Sequence, residues 1–156
     1  MKKESELIEI PRSQASEFLS SDELRLVEES DKAREMAYAP YSQFKVGSAA
    51  LLANGEILRG NNQENAAYPS GLCAERVLLN YVRANHPDQN IVTIGVVTDK
   101  SAAGAPNLPI PCGACLQTMY EFETLQNEEF RVILISKDML YLAEGIKQFL
   151  PFRFVL

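Results

Sequence analysis

All three cysteines of this 156-residue chain stand at the heads of two predicted helices, so a fold that uses them together must bring those helix ends to one place. Cys73-Ala74-Glu75 opens a helix predicted over 73–84, where Leu72, Val77, Leu78, Tyr81 and Val82 recur near helical spacing. Pro111-Cys112-Gly113-Ala114-Cys115 opens a second, predicted over 113–125. Three cysteines cannot pair off in a disulfide framework, and clustered thiols in a reduced protein point to metal or catalysis. Zinc takes four tetrahedral ligands, and a catalytic zinc keeps one position for water. Cys73, Cys112 and Cys115 supply three thiolates and leave that position open. The single histidine, His86, lies at a predicted helix end beside Pro87 and remains a weaker candidate for a fourth ligand.

Glu75 is the natural proton carrier of such a site. It lies two residues from Cys73, near the metal yet free to face the water. Water activated there would attack C4 of a cytosine, while Glu75 took its proton, protonated ring N3 and helped ammonia leave. That is the three-cysteine form of the zinc-deaminase pattern, in which the glutamate is not a ligand. Three thiolates on Zn²⁺ leave a net negative charge, which raises the pKa of bound water relative to a three-histidine site. Two helix N-termini offset it with partial positive charge. Arg76 can donate hydrogen bonds to a thiolate and offset it further.

The rest of the chain reads as one compact α/β domain. Residues 1–19 are set apart as an N-terminal extension, and 20–156 as the domain proper. Ser20 with Glu23 forms a capping box, starting a helix expected to run to about Tyr38 and stop before Pro40. Strands are expected at 46–53 and 56–60, joined by Asn54-Gly55, and at 91–98 and 130–136. Residues 102–111 read as loop, 139–143 as a short apolar piece, and a last helix is expected to end at Pro151. This order suggests a mixed central sheet covered by helices on both faces, a three-layer α/β/α arrangement. The net charge of −6 argues against a nucleic-acid partner. The N-terminus lacks the roughly 7–15-residue apolar stretch of a signal peptide, and no apolar run approaches the ~20 residues of a membrane span. A cytoplasmic protein without a membrane partner is expected.

Taken alone, Asn62-Gln63-Glu64-Asn65 reads as a loop with local turns. Phe44, Phe152 and Phe154 read by default as core or interface aromatics, and the acidic run from Asp22 to Glu35 as a solvated helix face.

Five stretches, in order along the chain, change that balance. Ala39-Pro40-Tyr41-Ser42-Gln43-Phe44-Lys45-Val46-Gly47 resembles the A-P-Y-S-x-F-x-V-G stretch of the small cytidine deaminases, and Asn62-Gln63-Glu64-Asn65 their N-x-E-N motif. Cys73-Ala74-Glu75-Arg76 and Pro111-Cys112-Gly113-Ala114-Cys115 resemble their C-A-E-R and P-C-G-x-C zinc motifs. Leu150-Pro151-Phe152-Arg153-Phe154 resembles their C-terminal L-P-x-x-F. The resemblance implies a cytidine-deaminase-like fold and a homotetramer with shared active sites. It implies hydrolysis of cytidine or deoxycytidine to the uracil nucleoside and ammonia, in pyrimidine salvage. One Zn²⁺ per subunit would sit on Cys73, Cys112 and Cys115, with Glu75 catalytic and Arg76 compensating charge. Asn62 and Glu64 would hold the ribose, chiefly its 3′-hydroxyl. Phe44 would line the base pocket, the backbone of Ala74 would help hold the pyrimidine, and Phe154 would stack in a neighbouring subunit's site. One departure stands out: Leu116 occupies the position after the last cysteine, where the family usually has arginine. Competing readings are a deaminase for another cytosine-bearing small molecule, a nucleic-acid editing enzyme, and a structural zinc module. The Asn62–Glu64 pair, the acidic chain and the intact Glu75 count against them in turn.

Overall fold

Side-chain alternation along one central strand sets the layering. Ala50 and Leu52 of β2 (Val46–Leu52) enter one buried cluster, while Ala49 and Leu51 enter another on the opposite face. The computed structural model describes residues 7–98 and 108–155. Besides β2, its strands are β1 (Ile8–Pro11), β3 (Ile57–Asn61), β4 (Ile91–Thr98), β5 (Arg131–Ile135) and β6 (Met139–Glu144). They form one sheet in the order β1-β6-β5-β4-β2-β3. β4 and β5 pair in parallel and every other neighbour pair is antiparallel, so the sheet is mixed.

The helices are α1 (Ala15–Phe18), α2 (Ser21–Glu35), α3 (Ala74–Asn85) and α4 (Gly113–Gln126). Leu26 and Val27 of α2 and Ala15 of α1 pack with Leu51, Val97 and Ile133 on one face. Leu78, Leu79 and Val82 of α3 pack with Leu116, Met119 and Phe122 of α4 on the other, against Ile94, Val96 and Val132. The expected three-layer α/β/α arrangement is therefore the one observed. Gly60 lets α3 sit directly on β3: a Cβ there would lie 2.7 Å from the Ala74 carbonyl oxygen and from Leu78. Among the described residues, no helix is long and apolar enough to cross a membrane.

Several local expectations hold. Ser20 caps α2 with the reciprocal Glu23 bonds of a capping box. Gly55, at φ +85°, turns the β2–β3 hairpin, and Leu52 N–H donates to the Glu56 carbonyl at 2.9 Å. Others need correction. α2 stops at Glu35 rather than near Tyr38, because Tyr38 is claimed by a distant segment. Its N–H donates to Asn62 O at 3.0 Å and its carbonyl accepts from Glu64 N–H at 2.9 Å. The apolar piece near 139–143 is a full strand, β6. The last helix is reduced to a single turn. Gly145, at φ +72°, lies outside a right-handed helix, and Gly145 and Ile146 N–H are bonded to Phe130 O and the Glu123 carboxylate at 3.0 and 3.2 Å. Phe149 and Leu150 N–H then both turn back to Ile146 O, and Pro151 follows. Of the loop expected at 102–111, residues 102–107 lie outside the described residues.

The segment set apart as an extension contributes to the sheet from Ile8 onward. β1 pairs with β6, Ile10 and Leu19 are buried, and Arg12 is fastened on two sides. Arg12 N–H donates to Asp138 O at 2.8 Å, and its guanidinium pairs with Asp31 of α2.

Candidate active site

α3 and α4 lie on the same face of the sheet, and their N-termini converge. Cys73 is the N-cap of α3 and Cys112 the N-cap of α4, both with extended backbone (φ −67°, ψ 155° and 164°). Cys115 follows Cys112 by three residues, which returns its side chain to the same side of the helix. The Cys73 and Cys112 sulfurs are 3.8 Å apart, those of Cys112 and Cys115 3.4 Å, and all three lie within 4.8 Å of one another. Sulfurs at about 2.3 Å from a tetrahedral zinc stand about 3.8 Å apart. Neither cysteine cap makes a side-chain capping bond, so the first-turn N–H dipoles of both helices remain directed at the sulfurs. The donor set therefore fits one zinc per subunit.

The environment of the sulfurs agrees with that fit. The Cys73 thiol is held down to about 5, foremost by its hydrogen bond with Cys115, then by Cys112 and the charge and hydrogen bond of Arg76. Cys115 is pushed up, foremost by that same bond to Cys73, then by burial and the nearby Glu75. Arg76 Nε is buried without a hydrogen-bond partner, facing a site with surplus negative charge. Glu75, only 4% exposed, has its carboxyl raised by burial first and by the Cys73 charge second, against the pull of its own N–H, Cys115 and Arg76. Ala74 is fully buried between Cys73 and Glu75 in the same turn. Leu116 turns into the core with Met119 and Phe122. His86 sits at the far end of α3, 3.5 Å from the Glu56 carboxylate, and is not a fourth ligand.

Cys73 also lines a cavity of about 460 Å³, which connects the sulfur cluster to Asn62 and Glu64. That volume lies in the range of about 300–1,000 Å³ typical of small-molecule sites. Asn62 is buried with its amide spanning two backbone groups: Oδ1 accepts from Val46 N–H and Nδ2 donates to Phe44 O, both at 2.8 Å. The Glu64 carboxylate accepts from Tyr41 N–H at 2.8 Å, Ser42 N–H at 3.2 Å and the Ser42 hydroxyl. The hydroxyl bond is the main reason its pKa is lowered. Both residues thus hold the 41–46 segment, whose Tyr41 and Ser42 line the cavity.

The structure does not gather every expected residue there. Phe44 is 37% exposed and does not line the cavity. Phe154 is 65% exposed and lies against α4 of its own chain, where Gln117 Nε2 donates to its carbonyl at 3.0 Å. Conversely, Tyr41, Ser42, Tyr68 and Leu72 line the cavity without having been singled out. Tyr41 and Ser42 were signalled by the A-P-Y-S stretch that contains them. Tyr68 carries no such signal; only folding brings its ring within 6.0 Å of Tyr41, edge to face.

The profile of the cytidine and deoxycytidylate deaminase zinc-binding region matches residues 20–127. A cytidine deaminase of Halalkalibacterium halodurans is 43% identical over 101 residues, covering 64% of this chain and 71% of the relative. A probable cytidine deaminase of Dictyostelium discoideum is 30% identical over 138 residues, covering 85% and 84%. The crystal structure of cytidine deaminase from Burkholderia pseudomallei superposes with a TM-score of 0.72 at 33% identity, covering 87% of this chain and 100% of that one. The converging cysteine caps, the buried glutamate beside them and these likenesses lead to one assignment: the chain belongs to the cytidine deaminase family.

Proposed function

We propose that the protein hydrolyses both cytidine and deoxycytidine, giving uridine or deoxyuridine and ammonia, as a cytoplasmic step of pyrimidine salvage. The observation that carries this reading is the Glu75 carboxylate, buried beside three sulfurs next to a cavity sized for a nucleoside. Zinc on Cys73, Cys112 and Cys115 would supply a Lewis acid that makes water nucleophilic near neutral pH. Glu75 accepts a proton from the attacking water and delivers it to ring N3 of the cytosine; it then takes the second proton from the new C4 hydroxyl and passes it to the amine, so that the C4–N bond breaks, ammonia leaves and C4 becomes a carbonyl. Two helix N-termini and Arg76 offset the negative charge of the thiolates. Asn62 and Glu64 hold the sugar at its 3′-hydroxyl, a group both substrates share, and stiffen the segment that carries Phe44. The Ala74 backbone holds the pyrimidine. Phe44 closes over the base from its own chain and Phe154 from a neighbour, in a homotetramer. The catalytic domain is taken as residues 20–156, with 1–19 an addition that supplies the edge strand β1 and core residues from Ile8 onward.

The test is loss of cytidine and deoxycytidine absorbance with zinc measured in the same preparation. Both nucleosides should be converted by protein holding one zinc per chain, and a chelator should stop the reaction. Zinc-loaded protein that leaves both nucleosides intact would overturn the proposal.

A further inference from the structure

We propose that Gln117 and Tyr120, on the outer face of α4, are positioning residues that hold the C-terminal arm so that Phe154 is presented in a fixed place. This rests on the reading of Phe154 as part of a neighbouring subunit's site. The arm leaves the turn at Ile146–Leu150 and continues past Pro151 with no regular structure. Phe152 is 93% exposed and Phe154 65%, so the arm has no apolar burial of its own to fix it. Two contacts to α4 do so instead. Gln117 Nε2 donates to Phe154 O at 3.0 Å, and the Arg153 guanidinium lies 4.8 Å above the Tyr120 ring. Gln117 and Tyr120 are three residues apart on α4 and share one helical face. They grip two successive arm residues, one by its backbone and one by its charge, which sets both the position and the twist of the arm.

The local sequence makes this face available. Leu116 turns inward to the core, which leaves Gln117 half-buried on the outer side two residues after the last cysteine. A groove of about 510 Å³ lies between α4 and the arm, with Thr118, Glu121 and Thr124 along its floor. An arm already held this way need not be ordered when a neighbour's site receives it, which spares the cost of immobilising it at that moment.

The experiment uses zinc-loaded, full-length, assembled protein. Arg153→Met and Gln117→Ala each remove one grip without touching the core. Each should raise the KM for cytidine about two- to fivefold, on the strength of an exposed cation–π or hydrogen-bonded contact, with kcat and zinc content little changed. Neither should raise KM further in a Phe154→Ala background. Tyr120→Leu should behave like Arg153→Met, and Tyr120→Phe, which keeps the ring face, should not. Effects that add fully to Phe154→Ala would overturn the proposal. A second measurement separates this idea from the reading of Phe154. The chain has no tryptophan, so Phe154→Trp places a sole tryptophan on the arm, excited at wavelengths that the six tyrosines do not absorb. Its anisotropy should fall when Arg153→Met or Gln117→Ala is added, and no fall would overturn the positioning role. A fall in anisotropy with KM unmoved by Phe154→Ala would keep the grip and reject Phe154 as a site residue.

Discussion

A carboxylic acid shut away from water beside sulfur ligands can stay charged only at a cost, and Glu75 is held in that position with its pKa raised by burial. Glu75→Gln keeps the shape and removes the proton carrier. It should retain zinc, since the three sulfurs form the cluster without it, and lose roughly 10²–10⁴ in turnover or more. Zinc content with single-turnover absorbance measures both, and loss of zinc would make Glu75 structural. Asn62 acts through both ends of its amide on Phe44 and Val46. Asn62→Ala should lower kcat/KM by about 1–3 kcal/mol in transition-state terms, equally for cytidine and deoxycytidine. Glu64→Ala should move both nucleosides in the same direction, because it frees Tyr41 and Ser42 of the same segment. A loss confined to cytidine would shift the sugar contact to the 2′-hydroxyl. Glu123 offers a different test, on stability. Its carboxyl is pushed up to about 7, foremost by burial, although Phe130 and Ile146 N–H donate to it. A carboxyl with a raised folded pKa favours the folded state most fully below its ordinary value of 4.5, and that contribution is lost as pH rises through 7. Glu123→Gln keeps an acceptor oxygen and removes the buried charge. Urea melts should show it more stable than wild type at pH 8, by on the order of 1–3 kcal/mol, and little different at pH 5.

At the scale of elements, the position of α3 on β3 decides where Cys73 and Glu75 stand. Gly60→Ala would drive a methyl group to 2.7 Å from the Ala74 carbonyl and Leu78, at the turn that bears both residues. It should cost about 1–3 kcal/mol in stability and weaken zinc retention, measured by thermal melts and chelator competition. Unchanged zinc affinity in a folded variant would show that α3 can shift without consequence for the metal. Elements whose signals are local could be read in advance. The Ser20–Glu23 capping box, the Asn54-Gly55 hairpin and the β-branched run of β4 all depend on neighbours in sequence. So do the cysteine motifs and Glu75, because each sits within one helical turn of a cap. Features settled by distant partners could not be read. The end of α2 is set by Tyr38 pairing with Asn62 and Glu64, and the start of the last turn by Gly145, at φ +72°, and by bonds from Gly145 and Ile146 to Phe130 and Glu123. β1 exists only because β6, at the other end of the chain, accepts it. The cavity wall at Tyr68 is likewise made by a loop folded back toward Tyr41.

Considered as a whole molecule, the chain offers a cavity beside a metal cluster and an exposed aromatic arm. Phe154 lies against α4, outside the cavity of its own chain. If neighbours share sites, Glu75→Gln subunits with an intact arm, co-assembled with Phe154→Ala subunits, should yield some sites with a good Glu75 and a good Phe154. Activity should then exceed the sum of the two parents. Verified mixed assemblies with no such gain would confine each site to one chain. The cysteine caps carry a further consequence for the balance between durability and chemistry. Serine, threonine, aspartate or asparagine at an N-cap stabilises a helix by about 1 kcal/mol, and α3 and α4 both begin on a cysteine that makes no capping bond. Exchanging Cys73 and Cys112 for serine would therefore give better helix starts and a protein with no metal. With no side chain bonded across either helix start, the first-turn N–H groups of α3 and α4 stay directed at the sulfurs, a gain for the metal site set against a loss for the helices.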